Sequence, residues 1–175
     1  MASGIYRKTM MLSLKTTLLA LAIFLTGLSA GLFYAWAVSV IPGTQKISDS
    51  AYLEAMQSIN RAILNPAFYL SFMGSLLFLS LAAITQYSSG LGFWLILAAG
   101  ILYLTGTMGV TMFGNVPLND QLEVLNLAEL GPDQQAAFRV KFENAWNRLH
   151  MIRTWFSLAA FALSILAAFS LSPQA

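Results

Sequence analysis

The chain contains no cysteine. That absence excludes disulfides, thiolate nucleophiles, iron–sulfur clusters and cysteine-ligated zinc. Charge is nearly as scarce: only 9% of the 175 residues are Asp, Glu, Lys or Arg, against about 25% in a typical soluble domain. The net charge is only +2 and the basic residues are scattered, so nothing points to nucleic acid as a partner. A lone histidine is too few for a convincing metal site, and no His/Asp/Glu group has ligand spacing. A His–Met haem pairing through His150 finds no supporting spacing either. Phosphate-binding loops and nucleophile elbows are missing as well.

What the chain has in quantity is apolar length. Of its residues, 58% are hydrophobic, and they cluster into four runs: about Leu14 to Val40, Pro66 to Gln86, Leu91 to Phe113 and Leu149 to Leu171. Each approaches the roughly 20 residues needed to cross a hydrocarbon core about 30 Å thick. The expected fold is therefore all-α and membrane-embedded, one domain over residues 1–175 with four transmembrane helices and the lipid bilayer as solvent. The turn at Tyr87-Ser88-Ser89-Gly90 is short, and short connections favour antiparallel neighbours in an up-down-up-down bundle. Ala35-Trp36-Ala37 has the look of a signal-peptidase site. The run before it exceeds the 7–15 or so residues of a signal-peptide core, so a retained span is expected.

Two long connections, Ile41 to Asn65 and Gly114 to Arg148, fall on the same side. In the first, Leu53, Met56, Ile59 and Ile63 have helical spacing, and Asn65-Pro66 reads as an N-cap followed by proline at the first helical position. In the second, Gly131-Pro132-Asp133 opens a helix that can run through Phe138 and Phe142 into the fourth span. Pro42-Gly43 reads as a turn. Arg7, Lys8 and Lys15 flank the first span with no acid nearby. They favour cytoplasmic termini in an inner or plasma membrane, although the loop side holds more basic residues in total.

Ionisable groups in or beside a membrane are costly and are functional candidates by default. Trp146, His150, Arg153 and Ser157 are spaced by four, three and four positions, which puts them on one helical face. A histidine can serve as a base near neutral pH, a guanidinium can hold an oxyanion, and an indole can stack on an aromatic ring. Each also has a structural reading, as a boundary polar group, a snorkelling arginine or part of an aromatic belt. Asn60, Arg61, Asn65, Asn115 and Asn119 gather at the same end of the bundle, as do Tyr34 and Trp36. Tyr34 and Trp36 lie two positions apart and cannot share a helix face. Asn115-Val116-Pro117-Leu118-Asn119, directly after the third apolar run, reads as a shaped exit from the membrane and one wall of a polar pocket. Gly27 and Gly31 form a G-x-x-x-G that permits close helix approach, within the bundle or in a homo-oligomer. Gly100, Thr107 and Thr111 form a similar small-residue stripe.

Phe33-x-x-Trp36, Ser39-Val40-x-Pro42-Gly43, Asn60-Arg61, Asn65-Pro66, Asn115-Val116-Pro117-Leu118-Asn119 and Trp146 with His150 and Arg153 together resemble the anthrone-oxygenase-like family of four-span membrane proteins. The resemblance covers roughly residues 14 to 170. It implies oxidation of a lipophilic aromatic or polyketide-type substrate by O2, with no bound cofactor and no metal. His150, Arg153 and Asn115 are then the expected catalytic groups. Trp36, Tyr34, Trp146, Asn119, Asn65 and Arg61 are the expected substrate-binding groups. The competing expectation is a non-catalytic membrane protein that binds a lipid, a quinone or a partner subunit. A transporter is disfavoured by the lack of charges within the spans and of an inverted repeat.

Overall fold

The computed structural model describes residues 2–88 and 90–171, with side chains from Leu14 onward. The expected basic cluster at Arg7 and Lys8, and Ser89 of the short turn, lie outside the described side chains. Four helices are long and apolar enough to cross a membrane: α1 (Leu14–Thr44), α3 (Pro66–Thr85), α4 (Leu91–Glu123) and α5 (Pro132–Leu171). A short helix, α2 (Asp49–Ala62), precedes α3. No strand occurs among the described residues. The protein is an all-α integral membrane protein.

The helices form a closed ring in which α1 packs on α3 and α5, and α4 packs on the same two. The core is aliphatic and aromatic, with Leu79, Ile96, Tyr103, Ala99 and Ala160 fully buried. Few interhelical polar bonds tie it. The Tyr103 hydroxyl donates to the Phe72 carbonyl at 3.0 Å, and the Ser29 and Ser75 hydroxyls meet at 3.4 Å. In a bilayer, where lipid tails are as apolar as leucine, close packing must supply much of the cohesion. Glycine permits it at the tightest points. A Cβ on Gly106 would run into the Phe156 ring, and one on Gly92 would come within 2.5 Å of Leu171. Gly27 faces Phe161 in the same way, so that half of the G-x-x-x-G serves the bundle interior, whereas Gly31 faces open space. Gly106→Ala is therefore expected to destabilise the bundle by about 1–3 kcal/mol through overpacking. Gly31→Ala should be nearly neutral, and thermal unfolding in detergent compares the two.

At about 1.5 Å per residue, α5 with its 40 residues is about 60 Å long, twice the hydrocarbon thickness, so part of it projects beyond the hydrocarbon. His150 and Arg153 lie at the start of its apolar run, Leu149 to Leu171, where the charged turns before it give way to apolar ones. The continuity of α5 from Pro132 agrees with the expected run through Phe138 and Phe142.

Two boundaries differ from the sequence expectation. The helix of α1 continues through Pro42-Gly43 to Thr44, and α4 continues through the whole Asn115–Asn119 stretch to Glu123. Pro42-Gly43 is therefore not a turn, and Asn115–Asn119 stays helical. In both helices a π-helical turn comes just before the proline: Trp36–Val40 before Pro42, and Thr111–Asn115 before Pro117. Proline lacks the N–H that an α-helix would direct at the carbonyl four residues back. The widened turn opens the ladder at that point, and the α-helix re-forms beyond it.

The helix α2 lies across the loop end of the bundle. Ser48 caps its start by accepting from the Ala51 amide at 3.3 Å. Its inner face buries Tyr52, Leu53 and Met56 against Leu122, Leu127, Phe142 and Trp146. Gln57 Nε2 donates to the Leu122 and Leu125 carbonyls at 2.9 and 3.1 Å, satisfying the end of α4. Arg139 of α5 clasps the connection into α2. It donates to the Thr44 and Ile47 carbonyls, Asp49 and Glu143, and lies over the Tyr52 ring. Arg139→Gln is expected to free the segment between α1 and α2, read as faster limited proteolysis there while the four spans stay protected. Burial, and then the negative charge of Glu143, push the Tyr52 phenol above its ordinary value, against an opposing pull from Arg139. Above pH about 10 an unfolded chain loses the phenol proton that the folded one keeps. The docked cap is therefore expected to lose stability as pH rises past that point, with Tyr52 absent from the phenolate absorbance released by the native protein.

Candidate functional site

At the loop end the four spans part around a cavity of about 290 Å³ roofed by the last turns of α2, near the lower bound for small-molecule sites. Its walls are mainly apolar, from Leu32, Phe33, Trp36, Ile59, Ile63, Leu64, Phe68 and Val116. Polar groups enter from α2 (Asn60, Arg61), α4 (Thr111, Asn119, Asp120, Glu123) and α5 (His150, Arg153). Leu64 is 64% exposed and Val116 41% exposed, so the rim is greasy where it opens.

The face of α5 expected to carry Trp146, His150, Arg153 and Ser157 is buried at all four positions. His150 is stacked on Trp146, with ring centroids 5.0 Å apart and planes 6° from parallel. The edge of Phe33 meets it at 5.9 Å. Trp36 lies 5.7 Å from Trp146 and 6.3 Å from His150. The hydrogen bonds define the tautomer. Arg153 Nε and Nη2 both point at His150 Nδ1, at 3.2 and 3.0 Å. A guanidinium only donates, so Nδ1 must be the unprotonated nitrogen. His150 Nε2 then carries the proton and donates to the Phe33 carbonyl at 3.0 Å. This imidazole is neutral, and both ring nitrogens are occupied.

Arg153 is 8% exposed and forms no ion pair with any described residue. Its Nη1 donates to Thr111 Oγ1 at 3.3 Å. Its guanidinium carbon lies 4.6 Å from the Phe33 ring centre and 5.1 Å from that of Trp146. The acids that line the cavity are engaged elsewhere or sit at the rim. Glu123 pairs with Arg61 at 2.7 Å, with both side chains largely in solvent, a contact worth at most about 1 kcal/mol. Asp120 is exposed and forms no ion pair with a described residue.

The expected site residues divide into three groups. Trp36, Arg61, Asn119, Trp146, His150 and Arg153 line the cavity together. Asn119 does so while accepting the Trp146 indole N–H at 2.9 Å, which fixes that ring. Asn115 is buried just behind the wall, where its Nδ2 donates to the Trp146 carbonyl at 3.2 Å. Its Oδ1 is buried with no hydrogen-bond partner. It braces α5 against α4 and is absent from the cavity lining. Tyr34 and Asn65 are also absent from it. Tyr34 is 53% exposed, because two positions from Trp36 is over half a turn around the helix. Asn65 is committed to capping α3, with Oδ1 accepting from the Phe68 amide at 3.0 Å and Nδ2 donating to Ala62.

The groups that a residue-by-residue reading passed over are Phe33, Thr111, Asp120 and Glu123. Phe33 acts through its ring and its carbonyl. In the sequence Thr111 reads only as part of the small-residue stripe. Asp120 follows Asn119 directly in the chain, which was the available signal.

A family model described as anthrone oxygenase matches residues 56–163. The match takes in the later turns of α2, all of α3 and α4, and α5 past Arg153. Phe33 and Trp36 precede it. No curated protein and no solved structure matches the chain. With more than half of its length under that match and the four-span fold in place, this chain belongs to the anthrone oxygenase family.

Proposed function

We propose that this protein is a membrane oxygenase that inserts one atom of O2 into a flat, lipophilic aromatic or polyketide-type substrate carrying an acidic C–H. The observation that carries this reading is the buried guanidinium of Arg153 lining an apolar, aromatic-walled cavity without a counter-ion among the described residues. An activated CH2 group loses a proton, and the electron pair delocalises onto the neighbouring oxygen as an enolate. Arg153 is placed to stabilise that oxyanion in a water-poor site, where a preorganised cation is worth far more than in water. Trp36 and Trp146 form the wall on which the ring lies. The carbanion carbon takes up O2 and a proton to give a hydroperoxide, which loses water to leave a ketone. The balance is CH2 plus O2 to C=O plus H2O, with O2 as the oxidant.

His150 is a positioning residue in this scheme. Its Nδ1 lone pair is held by Arg153, so it has no free lone pair to remove a substrate proton. Asp120 is the carboxylate we assign to accept that proton at the cavity rim. Both termini are placed on the cytoplasmic side, from the basic cluster before α1. The cavity then opens at the opposite leaflet, and reporter fusions at the two termini check this.

The test is turnover in nanodiscs with an anthrone under ¹⁸O2. One ¹⁸O in the product ketone, with one O2 consumed per substrate, supports the reading. No uptake above that of empty nanodiscs contradicts it. The same engaged state of His150 also favours a second reading, in which the cavity holds a lipid or quinone without turnover. Mass spectrometry of the purified protein would find that ligand, in a preparation inert toward anthrones.

A further inference from the structure

We infer that the cavity holds its ligand as a planar oxyanion, bound by the unused terminal N–H bonds of the Arg153 guanidinium. The ligand class is a carboxylate or an enolised 1,3-dicarbonyl on a flat apolar body. This deepens the oxygenase reading and rests on it for the cavity being the place of binding.

The argument is an inventory of donors. A guanidinium has five N–H bonds and cannot give up its charge in a protein. Two point at His150 Nδ1, from Nε and Nη2, and one at Thr111 Oγ1, from Nη1. Two N–H bonds remain, one on each terminal nitrogen, and no described residue accepts from them. The Nε side is closed by His150, and the guanidinium carbon lies over the Phe33 and Trp146 rings. What stays open is one N–H on each terminal nitrogen, enough to donate to two oxygens of one planar anion.

The charge inventory agrees. A cation this buried at the edge of a membrane needs an anion, or its desolvation goes uncompensated. The nearest candidates do not supply one. Glu123 is paired with Arg61, and Asp120 is exposed and not bonded to Arg153. The counter-ion is therefore the ligand's to bring, and the walls around those N–H bonds require the rest of that ligand to be apolar.

The test is equilibrium binding to wild-type protein in nanodiscs without O2, read as energy transfer from tryptophan to an aromatic probe and corrected with empty nanodiscs. The probes are anthracene-2-carboxylate, its methyl ester, and an aryl-substituted 2-acyl-1,3-dione that is ionised at neutral pH. The carboxylate, the dione anion or both should bind at least tenfold tighter than the ester, the tighter of the two naming the source of the oxyanion. Arg153→Gln should abolish that preference. The inference is overturned when neither anion binds tighter than the ester, and the wild-type comparison decides this even if the variant does not fold. Neither carboxylate nor ester has the oxidisable CH2, so binding is separated from turnover. Charge preference without O2 uptake from any anthrone would sink the oxygenase and leave this inference standing. Uptake without charge preference would do the reverse.

Discussion

Arg153→Gln is expected to lower O2 uptake with an anthrone about 100- to 1,000-fold, the size of effect seen when a preorganised donor to a developing oxyanion is removed. The substitution keeps hydrogen-bonding capacity and removes the charge. Nδ1 of His150 still has a donor within reach, so the stack of His150 on Trp146 should persist. A loss of turnover with an unchanged unfolding temperature would therefore report chemistry and not collapse of the site. Arg153→Lys is expected to recover little, because an ammonium is a point charge with no fork. If Arg153→Gln turned over at more than a tenth of the wild-type rate, the oxyanion role would be wrong.

The second large effect separates two meanings of His150. If it were the base, every substitution without a titratable nitrogen would be equally inactive. Here its Nδ1 accepts from Arg153 and its Nε2 donates to the Phe33 carbonyl. His150→Asn places an amide oxygen near the position of Nδ1 and should keep Arg153 in register, with turnover within about tenfold of wild type. The lost bond to Phe33 should cost about 1 kcal/mol of stability. His150→Ala removes both contacts and opens space beside the guanidinium, and about a 100-fold loss is expected, since a 1 Å misplacement alone can cost that much. Equal inactivity of the Asn and Ala variants would restore the base assignment.

The spans were legible because their signal is compositional and local. Runs of apolar residues, the Asn65 cap and the spacing of Trp146, His150, Arg153 and Ser157 need no tertiary information. The site was legible only in outline. The offsets along α5 named its face, yet the atom that orients His150 is a backbone carbonyl 117 positions away, and no side-chain pattern reveals it. Pro42 and Pro117 misled for a related reason. Proline normally marks a break, yet a π-turn stands before each of these and the helices continue. Asn65 has a role that Asn65-Pro66 makes legible, the cap of α3, and both ends of its amide are engaged there.

The central claim is that Arg153 holds the substrate as an oxyanion inside the cavity. Its most direct test is the absorption spectrum of an anthrone bound to the protein in nanodiscs without O2. The account predicts the red-shifted spectrum of the enolate with wild-type protein and that of the neutral ketone with Arg153→Gln. A neutral spectrum in both, or an enolate spectrum in both, would contradict it.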